Sequence, residues 1–147
     1  MKLRDQMPEL KGATKWLNSK PISKKKLIGK KPTFIHFWSI SCSMCKKMMP
    51  KVNELCAEYK QDVNVISVHM PLSEKDKDLE AVKRTAAEHN ITQPIFIDDQ
   101  HILTDAFENE YVPAYYVFDA SGKLRYRQSG RTGIKMLQKR INRILNE

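Results

Sequence analysis

Residues 33–50 read TFIHFWSISCSMCKKMMP, and the fold turns on how this stretch is read. Thr33–Trp38 is a six-residue aromatic and β-branched run, the composition of a strand in a sheet interior. Cys42-Ser43-Met44-Cys45 follows, and behind it Val52, Leu55, Cys56 and Tyr59 recur at i, i+3, i+4 and i+7, which predicts a helix. A pair of cysteines therefore stands where a buried strand hands over to a helix. Cys42 falls at or just before the first turn, where backbone N–H groups have no helical acceptor and the macrodipole is positive. Both effects stabilise a thiolate, the nucleophile of disulfide exchange, and can bring a thiol from its usual pKa of ~8.5 to neutral or below. Cys45, most of a helical turn further on, can attack the mixed disulfide that Cys42 forms with a substrate and release the product thiol. Cys42 is the expected entry nucleophile, Cys45 the resolving thiol, and the two together a redox-active disulfide.

Outward from this stretch the chain alternates. Residues 63–70 (VNVISVHM) predict a strand, and residues 78–89 a helix with Leu79, Val82 and Ala86 on one face. Residues 94–98 predict a strand and 102–109 a short helix. Residues 115–119 and 123–128 predict two strands joined by Ala120-Ser121-Gly122, a turn sequence with glycine where positive φ is wanted. Residues 133–145 close the chain as an amphipathic helix through Ile134, Leu137, Ile141, Ile144 and Leu145. The region before Thr33 is polar, with one short helix expected around residues 23–28. Such alternation predicts an α/β fold, a mixed central sheet flanked by helices on both faces. A length of 147 residues without repeats or a dividing linker predicts a single domain over 1–147.

Composition narrows the function. Three cysteines are too few for the disulfide framework of a small secreted protein. The first fifteen residues hold no apolar core of a signal peptide, and no run approaches the ~20 apolar residues of a membrane helix. A cytoplasmic, monomeric protein without membrane association is expected. The net charge of +9 gathers partly at Lys20, Lys24, Lys25, Lys26, Lys30 and Lys31. No arginine or aromatic residues interleave there to form a stacking platform, so the segment reads as a solvated face and no nucleic acid is expected as a partner. A structural zinc site needs four ligands, and no second CxxC or HxxxH accompanies Cys42 and Cys45. No metal and no cofactor is expected. Two other readings of the same thiols are a copper-binding or delivery module, drawn from Met44, Met48 and Met49, and a peroxidase-type enzyme. The peroxidase pattern has Ser39 but carries Ile35 where its proline should stand.

At these residues the chain resembles the thioredoxin superfamily, in particular its ResA/TlpA-like bacterial branch. The stretch FIHFWSISCSMCKKMMP is similar to that family's apolar strand, Phe-Trp, CxxC, lysine and proline, with Pro50 eight residues after Cys42. Tyr111-Val112-Pro113-Ala114 looks like the loop that carries the family's cis-proline, facing the CxxC across a substrate groove. Met7-Pro8-Glu9-Leu10, Leu27-Ile28-Gly29-Lys30 and the strand–helix insertion over residues 63–89 also match. MPEL, IHFWSISC, TAAEHNITQPIF and LTDAFENEYVPAYYVFD resemble most closely a cytoplasmic oxidoreductase type of bacilli within that branch. The resemblance implies a thioredoxin-like fold with an N-terminal extension and the insertion. It also implies thiol–disulfide exchange with protein disulfide substrates, an upstream dithiol reductant, and substrate contacts from Trp38, Ser41, Val112 and Pro113, the last in cis. The chain departs from the pattern in three places. Ser43-Met44 separates the cysteines, Ser41 stands where a tryptophan usually precedes the first cysteine, and His36 replaces the buried aspartate that assists proton transfer.

His36 alternates with Phe34 and Trp38 toward the underside of the CxxC. A neutral imidazole there could relay the proton of Cys45, while a hydrogen-bonded core histidine is the commoner outcome. Cys56 reads as a small buried hydrophobe of the helix stripe. His69 ends a strand on the active-site edge with no partner visible in the sequence, and reads as incidental.

Overall fold

The computed structural model describes residues 1–130 and 133–147. Its strands are β1 (Lys15–Leu17), β2 (Thr33–Trp38), β3 (Asn64–His69), β4 (Ile95–Ile97), β5 (Ala114–Phe118) and β6 (Leu124–Ser129). Its helices are α1 (Lys24–Leu27), α2 (Ser43–Glu58), α3 (Leu79–Glu88), α4 (Ile102–Phe107) and α5 (Ile134–Leu145), with a 3-10 turn at Glu74–Lys77. The strands form one sheet of order β1-β4-β3-β2-β5-β6. β2, β3 and β4 run parallel, while β1, β5 and β6 join antiparallel to β4, β2 and β5. This is the mixed sheet expected, and the fold is thioredoxin-like.

Every residue of β2 is buried, because both faces of the sheet are covered. Alternation sorts its side chains. Phe34 and Trp38 pack with Cys45, Met49, Val52 and Leu55 of α2, Val82 and Ala86 of α3, and Leu137 and Ile141 of α5. Ile35 and Phe37 pack on the opposite face with Leu27 of α1, Leu103 and Phe107 of α4, and Met7 of the N-terminal segment. A one-residue slip of β2 would exchange the two sets, so its register is strongly specified. Burial of each large apolar side chain supplies about 1.5–3 kcal/mol, which makes this strand a rigid base for whatever follows Trp38.

Local chemistry explains the boundaries. Asp78 caps α3, its carboxylate accepting from the Glu80 and Ala81 N–H groups. Asp119 Oδ1 accepts from the N–H groups of Ser121 and Lys123 in the β5–β6 turn, where Gly122 takes φ +87°. Strand β1 was not expected from the sequence; it exists through its antiparallel pairing with β4 and its own residues carry little strand signal. The N-terminal extension is also more structured than its polarity suggested. Met7 N–H donates to Gly122 O and Arg4 N–H to Leu124 O, so the segment runs along the β5–β6 hairpin.

Cys56 is 8% exposed, and burial pushes its thiol up to about 12. Replacing Cys56 with Ser should cost about 1–3 kcal/mol in urea denaturation while leaving exchange kinetics unchanged. In the reduced native protein Cys56 should react with a thiol reagent only after unfolding. Rapid native labelling, or loss of activity with the fold intact, would contradict this.

Candidate active site

The chain leaves the buried end of β2 at Trp38 and enters α2 at Ser43. Cys42 is the N-cap of α2, with extended backbone at φ −93° and ψ 103°, and its Sγ accepts a hydrogen bond from the Cys45 N–H at 3.1 Å. That N–H belongs to the first helical turn and would otherwise lack a partner, so sulfur here does what a serine or aspartate oxygen does at an ordinary cap. Cys42 and Cys45 form a disulfide with a Cα–Cα distance of 5.3 Å. The two sulfurs differ in environment. Cys42 is partly exposed, whereas Cys45 is 1% exposed beneath α2. Met49 joins the core, while Met44 and Met48 are only half-buried.

The three residues before Cys42 are each held by a side chain at or just after the end of β3. Asp76, in the 3-10 turn after β3 and 2% exposed, places one carboxylate oxygen on three donors. These are the Ser41 hydroxyl at 2.7 Å, the Leu72 N–H at 2.8 Å and the Ser39 hydroxyl at 2.9 Å. Burial works to raise this carboxyl's pKa, and the hydrogen bonds from Ser41, Leu72 and Ser39 outweigh it and hold the group below its ordinary value. His69 Nε2 accepts from the Ile40 N–H at 3.2 Å, and the ring packs edge-on against Trp38 at 5.0 Å. The expectation that His69 is incidental is corrected: it anchors the active-site loop, through a backbone N–H that the sequence gives no sign of. Asp76 was missed for a similar reason, sitting in SEKDKD, which reads as a solvated charged turn.

Across from Cys42 lies the segment with the Val112–Pro113 bond, which is cis. Cys42 Sγ is 3.7 Å from the Val112 carbonyl oxygen, so this loop and the helix N-terminus meet at the reactive sulfur. Pro113 is buried and Val112 partly exposed. Asn109 fixes the loop from below: its amide donates to the Tyr111 carbonyl at 2.9 Å, and its side-chain oxygen accepts from the Tyr116 hydroxyl at 2.7 Å. Asn109 too was not singled out beforehand.

Trp38, for which the resemblance implied a substrate contact, is 1% exposed and packs in the core as a buried brace behind the loop. Ser41 is exposed apart from its hydroxyl contact with Asp76. His36 lies on the same sheet face as Phe34 and Trp38, stacked on Phe34 at 5.5 Å between Ser67 of β3 and Tyr115 of β5. Burial pushes it down to about 4 against a smaller opposing effect of Gln93. At neutral pH it is an uncharged and weak base, and among the described residues no hydrogen bond joins it to Cys45. The expected advantage of an imidazole titrating near neutrality is therefore lost to desolvation.

The AhpC/TSA family model matches residues 3–127. The chain is 61% identical over 147 residues to the thiol-disulfide oxidoreductase YkuV of Bacillus subtilis (strain 168), covering 100% of this chain and 99% of that protein. It is 30% identical over 96 residues to the thiol-disulfide oxidoreductase ResA of Geobacillus thermodenitrificans (strain NG80-2), covering 65% of this chain and 52% of that protein. The solution structure of a thioredoxin-like protein in the oxidized form superposes with TM-score 0.90 at 61% identity, covering 99% of this chain and 98% of the other.

The two buried histidines carry a pH signature. Burial pushes both His36 and His69 down to about 4, in His69 against the attraction of Asp76. Unfolded histidine binds its proton near about 6.5, so unfolding takes up protons between these values and stability falls as pH drops through the window. Above about 6.5 the stability is whole; by about pH 4 the loss is on the order of 3 kcal/mol per histidine. Urea midpoints measured between about pH 4.5 and 7.5 should show this slope, and His36→Asn should remove roughly half of it. An unchanged slope in His36→Asn would show that His36 is already protonatable in the fold.

Proposed function

The chain belongs to the AhpC/TSA family of thioredoxin-like proteins and is a thiol–disulfide oxidoreductase, and on that premise we propose that it reduces disulfides of cytoplasmic proteins as a single, monomeric domain. The Cys42 thiolate attacks one sulfur of the substrate disulfide, forming a mixed disulfide while the other substrate sulfur leaves as a thiolate and takes a proton. Cys45 then gives up its proton and attacks Cys42 Sγ. The mixed disulfide breaks, the second substrate thiol is released, and two electrons have passed from the Cys42–Cys45 pair to the substrate. An upstream dithiol reverses the sequence on the resulting disulfide. No cofactor enters, because both electrons travel in the sulfurs.

The observation that carries the assignment of roles is the difference between the two sulfurs. Cys42 is accessible and receives a first-turn N–H, whereas Cys45 is buried at 1% exposure. Val112 and Pro113 supply the opposite wall, where an extended substrate strand can pair with the Val112 backbone beside the sulfur 3.7 Å from its carbonyl. A recess of about 510 Å³ lined by Glu108, Tyr111 and Arg127 begins one residue before Val112, on the same loop. No helix among the described residues is long and apolar enough to cross a membrane.

In the reduced protein Cys42 should be alkylated at least about tenfold faster than Cys45 at neutral pH, since only the thiolate reacts and only Cys42 is both exposed and capped. Cys45→Ser should accumulate mixed disulfides with substrate proteins. A reduction potential near about −270 mV would support the reducing direction, and one near about −120 mV would reverse it. Faster alkylation of Cys45 would exchange the two roles. Stoichiometric copper after purification without disulfide turnover, or efficient peroxide turnover, would point to the metal-binding or peroxidase readings.

A further inference from the structure

The residue immediately before Cys42 is hydrogen-bonded to a buried anion. Asp76 Oδ2 sits 2.7 Å from the Ser41 hydroxyl, and one peptide unit separates Ser41 from Cys42. Three donors converge on that single oxygen, one of them a backbone N–H that can only donate, an arrangement that suits the charged form. With the carboxylate 2% exposed, water screens it poorly. We infer that Asp76 is a positioning residue for the exchange reaction: it holds Ser39 and Ser41 ahead of Cys42, and its fixed negative charge disfavours the Cys42 thiolate and so tips the Cys42–Cys45 couple toward the reducing end.

The direction follows from charge balance. Reduction of the disulfide takes up two electrons and two protons, and ionisation of Cys42 then releases one proton and leaves a negative sulfur. The oxidised sulfurs carry no charge. A fixed anion nearby therefore raises the free energy of the ionised dithiol and leaves the disulfide untouched, making the dithiol the better reductant. This opposes the helix N-terminus and the Cys45 N–H, which favour the thiolate. Other charged groups on the surrounding elements are Lys46 and Lys47 of α2, Glu110 on the facing loop, and Glu74, Lys75 and Lys77 beside Asp76. All are at least partly exposed, and Lys77 is paired with Glu74 at 3.1 Å. His36 and His69 are uncharged at neutral pH. Among these groups Asp76 alone combines burial, charge and a direct link to the loop of Cys42.

The inference rests on Cys42 being the attacking thiol, and two variants separate the questions. Asp76→Asn removes the charge while keeping the shape; Ser41→Ala keeps the charge while removing the donor that partly neutralises it. Thiolate absorbance and alkylation rate across pH give the Cys42 pKa, and equilibration with dithiothreitol gives the potential. Asp76→Asn should lower the Cys42 pKa by about one unit and shift the equilibrium toward the dithiol by about threefold to tenfold, tenfold being about 30 mV. Ser41→Ala should move the Cys42 pKa upward. A clamp without electrostatic effect predicts lower melting temperatures with both pKa values shifted the same way or unmoved, and that result would overturn the inference. Should Asp76→Asn not fold, an unmoved or lowered pKa in Ser41→Ala is enough to overturn it. Either failure leaves Cys42 as the faster-alkylated thiol, whereas failure of the underlying reading would show Cys45 reacting first.

Discussion

Between Trp38 and Ser43 the backbone must pass from a fully buried strand to a helix whose first turn faces solvent, and it must do so with Cys42 at the N-cap. That passage constrains everything else. A loop with one residue more or less would place a different side chain at the cap and turn the sulfur away from the Cys45 N–H. The sheet supplies the rigid start, through the opposite packing of Phe34 and Trp38 against Ile35 and Phe37. The helix supplies the end. In between, Ser39, Ile40 and Ser41 have no regular secondary structure to hold them, and side-chain hydrogen bonds from Asp76 and His69 take its place.

Much of this was legible in the sequence, and what was not has identifiable physical causes. Thr33–Trp38, the CxxC and the Val52/Leu55/Cys56 stripe announce a strand, a reactive turn and a helix because burial periodicity is a local signal. Leu79, Val82 and Ala86 announce α3 in the same way. Strand β1 escaped notice because Lys15–Leu17 is a strand only by virtue of β4, a partner that is remote in sequence. Asp76 escaped because its donors lie 35 and 37 residues away and its own surroundings are uniformly charged. His69 escaped because its partner is a backbone N–H, and every residue but proline has one. Asn109 is similar, tied to a carbonyl and a phenol that the alternation pattern does not connect.

His36 shows the limit of reading chemistry from residue type. Imidazole titrates near neutrality in water, which invites a proton-relay role. On the central strand, with aromatic neighbours and no solvent, the same ring is driven to about 4 and stays neutral. A buried carboxylate at that position would meet the opposite pressure, being pushed up toward neutrality and so becoming a useful proton acceptor. Replacing it with histidine thus exchanges a base tuned by burial into the working range for one tuned out of it. The buried negative charge that this chain ties to the loop of Cys42 stands instead at Asp76, bonded to Ser39 and Ser41.

This relocation connects two departures from the family's pattern. Where a tryptophan usually precedes the first cysteine, this chain has Ser41, whose hydroxyl is one of three donors to Asp76 Oδ2. Losing that hydroxyl would remove the shortest of the three bonds, at 2.7 Å. Conversely, Asp76 without Ser39 and Ser41 would keep only the Leu72 N–H and would be a poorly compensated buried charge, an arrangement that costs several kcal/mol. Ser39, Ser41 and Asp76 therefore support one another. The segment between β3 and β4, whose 3-10 turn comes back to the residues after β2, is what places them within reach. The segment is part of the active site's support, and the hydroxyl of residue 41 is one of the groups through which it acts.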